Sequence, residues 1–168
     1  MKSTSILAIV ATTSFLLVPA AHAGEEEQFH PVYECIMVGT NLPADKDLEG
    51  GSEFFFVWGF MVNPYFGYQV NFGEAVVSTD EIDGAGFYEL AVSFKLAVPV
   101  AFVEPYVLGG AGLGVGEGGL GFPLHAAIGF DFNFGKVLVG AEARQVWLTV
   151  DGRDLSALLV MSKFGLRF

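Results

Sequence analysis

Cysteine is nearly absent from this chain, histidine is scarce, cations are few, and no long apolar run is left once the first two dozen residues are set aside. Each shortage excludes something. The single cysteine, Cys35, can form no internal disulfide, so no disulfide framework organises the fold; Cys35 reads as a wall residue of a first strand. With 8 lysines and arginines against 19 acidic residues there is no basic patch, and direct nucleic-acid binding is not expected. Three histidines, His22, His30 and His125, leave little material for imidazole chemistry. The chain is 52% hydrophobic, yet beyond residue 23 no stretch of about 18 apolar residues escapes interruption by glycine, proline or charge, which argues against transmembrane helices.

The N-terminus reads as an export leader. Lys2 supplies a short positive region, Ile6 to Val18 an apolar stretch too short to anchor, and Ala21-His22-Ala23 a small-x-small cleavage site. Residues 1–23 are therefore expected to be a signal peptide and residues 24–168 one domain. Val32-Tyr33-Glu34 before Cys35 is no lipobox, so a lipoprotein is not expected.

What is abundant is alternation. Segments of about ten residues place apolar side chains at every second position and are separated by turn residues, the pattern of a half-buried or membrane-facing strand. Eight strands are predicted: His30 to Gly39, Ser52 to Val62, Tyr65 to Gly73, Gly86 to Ala97, Phe102 to Val115, Phe122 to Phe134, Val137 to Val150, and Leu158 to Phe168. Long polar connections are expected after the odd-numbered strands and tight turns, such as Asn63-Pro64 and Gly135-Lys136, after strands two, four and six. An all-β, eight-stranded antiparallel up-and-down transmembrane β-barrel follows, with both termini on the periplasmic side.

The closing segment, Leu-Leu-Val-Met-Ser-Lys-Phe-Gly-Leu-Arg-Phe, ends on an aromatic residue and resembles the last strand of bacterial outer-membrane β-barrels. The segments Trp58 to Phe66, Glu104 to Gly114 and Gly129 to Arg144 look like the strand patterns of the small eight-stranded members of that group, which includes the opacity proteins, the membrane domain of outer-membrane protein A and the porin-family barrels. The resemblance implies a Gram-negative outer-membrane location, contact with outer-membrane lipid and lipopolysaccharide, and a monomer without a cofactor. It also implies that Phe164, Leu166 and Phe168 are read by the barrel-assembly machinery. The fold hosts adhesins, structural proteins, small pores and lipid-modifying enzymes, so it leaves activity open.

Charge placement constrains the interior. An Arg or Lys facing lipid near the midplane costs about 2–4 kcal/mol, so Lys95, Arg144, Lys163 and Arg167 should face inward or lie at an interface. The same parity carries Glu89, Glu104, His125, Asp131 and Glu142. An eight-stranded barrel is just wide enough for side chains to fill, so these residues are expected to pair across the lumen as a plug, the alternative being a narrow polar conduit for small solutes.

An enzyme is not expected. The lipid A deacylase type resembled by this fold carries a His-x-Ser-Asn motif on its seventh strand, whereas the corresponding stretch here reads Arg144-Gln145-Val146-Trp147; a Ser-His pair would have to be built from His125 or His30. Much of the acidity falls in expected external loops, with Asp45, Asp47, Glu49 and Glu53 in the first, Glu74, Asp80, Glu81 and Asp83 in the second, and Asp151 and Asp154 in the fourth. No metal site is expected, although Asp80, Glu81 and Asp83 offer oxygen ligands for a divalent cation at a spacing that matches no defined calcium loop. The expected role is non-catalytic: envelope integrity or surface interaction.

Overall fold

A computed structural model of the chain describes residues 30–44, 48–79, 85–116, 119–150 and 153–168. The signal-peptide expectation and the Asp80, Glu81, Asp83 cluster both lie outside the described residues. Eight long strands form one closed antiparallel barrel: β1 (Val32–Pro43), β2 (Ser52–Asn63), β3 (Phe66–Thr79), β4 (Ala85–Ala97), β5 (Val103–Gly116), β6 (Gly119–Phe134), β7 (Val137–Val150) and β8 (Arg153–Arg167). Each strand pairs with its neighbours in sequence, and β1 closes on β8 in a ladder running from Tyr33 opposite Arg167 to Pro43 opposite Ala157. The seam continues to the last residue, since the Phe168 amide donates to the Val32 carbonyl at 2.8 Å. Closure leaves no unpaired sheet edge, the condition for a sheet to span lipid. A two-residue ladder, Leu48–Glu49, adds to the far end of β3.

One end of the barrel holds the beginning of β1, the end of β8 and the three tight turns. The β2–β3 turn is held by the Asn63 side chain, whose Oδ1 accepts from the Tyr65 and Phe66 amides at 2.9 Å each. Gly135 makes the β6–β7 turn with φ of +61°, a conformation that favours glycine.

The walls are inverted relative to a soluble protein. Outward positions carry Phe54, Phe56, Trp58, Phe72, Leu90, Phe94, Leu124, Ile128, Val160 and Phe164, all exposed, with Ile128 at 65%. Inward positions carry the charges. An apolar belt around a charged interior is stable only with hydrocarbon outside, so the barrel spans a membrane. Among the described residues no helix is long and apolar enough to cross one.

The strands are longer at the end opposite the termini than the apolar pattern predicts. β1 runs to Pro43, β3 to Thr79, β6 begins at Gly119, and β8 begins at Arg153. Hydrophobic alternation stops where lipid stops, whereas the hydrogen-bonded ladder continues above it, as in the pairs Gly116–Gly119 and Val150–Arg153. The connections after β5 and β7 therefore shrink to two residues each, 117–118 and 151–152, and that after β3 to residues 80–84, no longer than the turn at 98–102, so of the expected long connections only 44–51 is longer than the turns. For the same reason Glu74 and Asp154 belong to strands and Glu49 to the short ladder on β3, not to loops, and Glu53, counted above with the first loop, lies within β2, inside the predicted span Ser52 to Val62. Glu53 in particular turns inward and is buried.

Candidate functional site in the polar lumen

Side-chain parity delivers nine charged residues to the interior: Glu53, Glu89, Lys95, Glu104, Asp131, Glu142, Arg144, Lys163 and Arg167 are all buried. Register then decides which of them meet. At the terminus-bearing end, Lys95 from β4 lies 2.8 Å from both Glu104 of β5 and Asp131 of β6. Lys163 of β8 sits 3.1 Å from Asp131, and Arg167 reaches Glu104 at 2.9 Å. Three cations thus share two carboxylates contributed by adjacent strands, an arrangement whose Coulombic gain must offset the desolvation of every member.

Two tyrosines complete this layer. Lys95 Nζ lies 4.3 Å from the Tyr106 ring centroid and 5.0 Å from that of Tyr33, and Lys163 Nζ lies 4.7 and 5.3 Å from the same rings. The ring faces supply negative quadrupole to the cations that lack a full carboxylate. Each ring lies across a glycine: a Cβ at Gly59 would fall inside the Tyr33 ring and one at Gly129 inside that of Tyr106.

Above it, at mid-height, Arg144 donates through Nε to Glu142 Oε1 at 2.8 Å, Tyr106 donates to Glu142 Oε2 at 2.8 Å, and the guanidinium stands 5.4 Å from the Phe55 ring. A neutral ladder climbs beside this pair. Tyr33 donates to Gln69 Oε1 at 2.8 Å, Gln69 to Asn71 Oδ1 at 2.9 Å, and Asn71 to Ser93 Oγ at 3.0 Å. Ser93 Oγ then meets His125 Nε2 at 2.7 Å. Because Ser93 accepts from Asn71, its proton is free to donate to His125 Nε2, which leaves the imidazole proton on Nδ1, facing Glu89 Oε1 at 3.9 Å. At the far end, Asn41 donates to Glu53 Oε1 at 2.6 Å and accepts from the Gly51 amide at 2.8 Å.

Of the residues singled out from sequence, Lys95, Glu104, Asp131, Lys163 and Arg167 converge in one cluster, Glu142 and Arg144 form a second, and Glu89 and His125 approach each other near the far end. Cys35 is buried on the inward face of β1. Phe164, Leu166 and Phe168 point outward at the seam. Sequence reasoning passed over Tyr33, Asn41, Glu53, Gln69, Asn71, Ser93 and Tyr106. Their signal was parity: Tyr106 stands two residues from Glu104, and Tyr33 two from Cys35, on the inward face. Among the described residues no three His, Cys, Asp or Glu side chains gather to hold a metal ion.

With the geometry in hand, comparison with solved structures is informative. The Neisserial surface protein A structure superposes with a TM-score of 0.69 at 13% identity, covering 82% of this chain and 97% of that one. The fold is that of the small outer-membrane β-barrels. Ail, the attachment invasion locus protein of Yersinia pestis, matches with a TM-score of 0.59 at 16% identity over 83% of this chain and all of that one. The outer-membrane enzyme PagL matches at 0.56 and 13% identity over 78% and 97%. No protein-family model and no curated protein sequence matches the chain. The fold thus accommodates surface proteins and an enzyme alike.

Ser93, His125 and Glu89 follow one another in the order of a nucleophile, a base and an orienting acid. Their setting argues against that chemistry. Ser93 is wholly buried in the lumen, its oxygen is held between Asn71 and His125, and the His125–Glu89 separation exceeds hydrogen-bond reach.

Proposed function

We propose that the protein is a non-catalytic, non-conducting barrel of the bacterial outer membrane, a rigid insert that contributes to envelope integrity and presents its outer rim for surface interaction. One observation carries this reading. Tyr33, Lys95, Tyr106, Asp131, Glu142, Arg144 and Lys163, drawn from six strands, close the lumen with none more than 4% exposed. Hydrated ions have no path through such a layer unless several buried ion pairs break together.

Similarity to Ail and Neisserial surface protein A supports a surface role, while the acidity of this chain limits its partners. A net charge of −11 disfavours polyanions as direct ligands, so anionic lipopolysaccharide would be met by the apolar belt and through cations. Insertion by the barrel-assembly machinery through Phe164, Leu166 and Phe168, with the termini periplasmic and the protein monomeric, belongs to the same proposal. Lipid A acyl hydrolysis is not favoured, because among the described residues the Ser93–His125 contact is enclosed inside the barrel.

The test is planar-bilayer recording of the refolded chain. Electrical silence from a folded, heat-modifiable barrel is expected; discrete channels that change conductance in a Glu142→Gln, Arg144→Gln variant would replace this reading with that of a narrow pore.

A further inference from the structure

Charge in the lumen is unevenly matched. The four buried cations all have carboxylate partners within 4 Å, and they use Glu104, Asp131 and Glu142. Glu53 and Glu89, both toward the end opposite the termini, are left over. Among the described residues Glu53 has no cation within 4 Å, and Glu89 has only the His125 imidazole at 3.9 Å. Across β3, Glu53 stands opposite Ala75 and Glu89 opposite Gly73, so the two buried carboxylates enter the lumen one inward step apart, and Arg144 nearby is already engaged by Glu142.

A second observation converges on the same place. Glu53 Oε2, Glu89 Oε1, His125 Nδ1 and Arg144 Nη1 are buried and have no hydrogen-bond partner. They come from four different strands, β2, β4, β6 and β7. Buried polar atoms without a protein partner are commonly satisfied by ordered water or a bound ion. In the terminus-side cluster the unmatched atoms, Asp131 Oδ1 and Arg167 Nε, belong to groups with an opposite charge at 3.1 and 2.9 Å.

We infer that the far end of the lumen is a hydrated pocket that binds a divalent cation from outside, between the carboxylates of Glu53 and Glu89. Two carboxylates carry the charge that one divalent ion balances, and such ions commonly keep several waters while bound to one or two carboxylates. Those waters would in turn satisfy His125 Nδ1 and Arg144 Nη1, neither of which can ligate a cation as a donor. Glu53 is the second residue of β2, at the end of the barrel opposite the termini. This site is separate from the Asp80, Glu81, Asp83 loop and goes beyond the proposed role, since it holds whether or not the barrel conducts.

The test uses the refolded mature chain in a nonionic detergent free of lipopolysaccharide, titrated with CaCl2 and with MgCl2 by calorimetry. One saturable site and a raised unfolding midpoint are expected. Glu53→Gln, which keeps the acceptor for Asn41, should weaken the affinity by at least about tenfold. In EDTA the same variant should unfold at a higher midpoint than the parent, because it removes an uncompensated buried charge. Glu89→Gln supplies the same readouts should the first variant not fold. An Asp80→Asn, Glu81→Gln, Asp83→Asn variant should bind as the parent does. No saturable binding of either ion to a folded barrel, binding untouched by the lumen variants, binding lost only in the loop variant, or destabilisation of Glu53→Gln in EDTA would each overturn the inference.

Discussion

Replacing Asp131 by asparagine is the sharpest test of a dry terminus-side cluster. Asp131 is the hub of the terminus-side cluster, 2.8 Å from Lys95, 3.1 Å from Lys163 and 3.9 Å from Arg167. Asparagine keeps the shape and one acceptor oxygen but removes the charge. Lys95 would retain Glu104, while Lys163 would lose its carboxylate and be left with neutral contacts, the amide oxygen, the Tyr106 hydroxyl at 3.4 Å and the two tyrosine rings. Three cations would then share one carboxylate. Removing one partner of a buried pair costs about 3–5 kcal/mol, because the other charge is left in low dielectric without compensation. That corresponds to roughly two to four orders of magnitude in the folding constant. The measurement is urea-dependent folding into lipid vesicles, followed by the fluorescence of Trp58 and Trp147, both exposed on the outer wall, with heat modifiability on gels as the check of closure. A companion variant, Asp131→Leu with Lys163→Met, removes both charges and should recover most of the loss, since apolar residues of similar volume replace a buried pair at little or no cost. A loss below about 1 kcal/mol for Asp131→Asn, the range of a solvated ion pair, would mean that water already reaches the cluster, and the closed-lumen argument would fail.

Two further expectations probe the wall from each side. Gly59→Ala drives a methyl into the Tyr33 ring and should destabilise the barrel by about 1–3 kcal/mol in the same urea assay, with much of the loss recovered when Tyr33 is shortened to Leu. Ile128→Arg places a guanidinium on the lipid face of β6 and should cost about 2–4 kcal/mol in vesicles; a neutral outcome would place Ile128 outside the hydrocarbon.

The comparison between residues and structure is uneven in an instructive way. Turn chemistry was legible: Asn63-Pro64 and Gly135-Lys136 carry their own local geometry, and the β2–β3 and β6–β7 turns form there. The upper limits of the strands were not, because above the lipid boundary the outward positions become polar while the ladder still pairs. Glu74 shows the consequence: the apolar pattern ends at Gly73, while the ladder of β3 continues through Glu74 to Thr79.

What the amino-acid order decided alone was periodicity. A two-residue repeat of apolar side chains with small or charged residues between them specifies strands and an inside-out barrel, since lipid penalises charge on the outer face and the backbone tolerates no open edge. What tertiary structure decided was partnership. Lys95, Asp131 and Lys163 are separated by dozens of residues and meet only because closure sets the stagger of β4, β6 and β8 around the barrel. The same stagger leaves Glu53 and Glu89 without a Lys or Arg within 4 Å among the described residues, a mismatch that no local pattern encodes, because it arises from the sum of eight registers and not from any one strand.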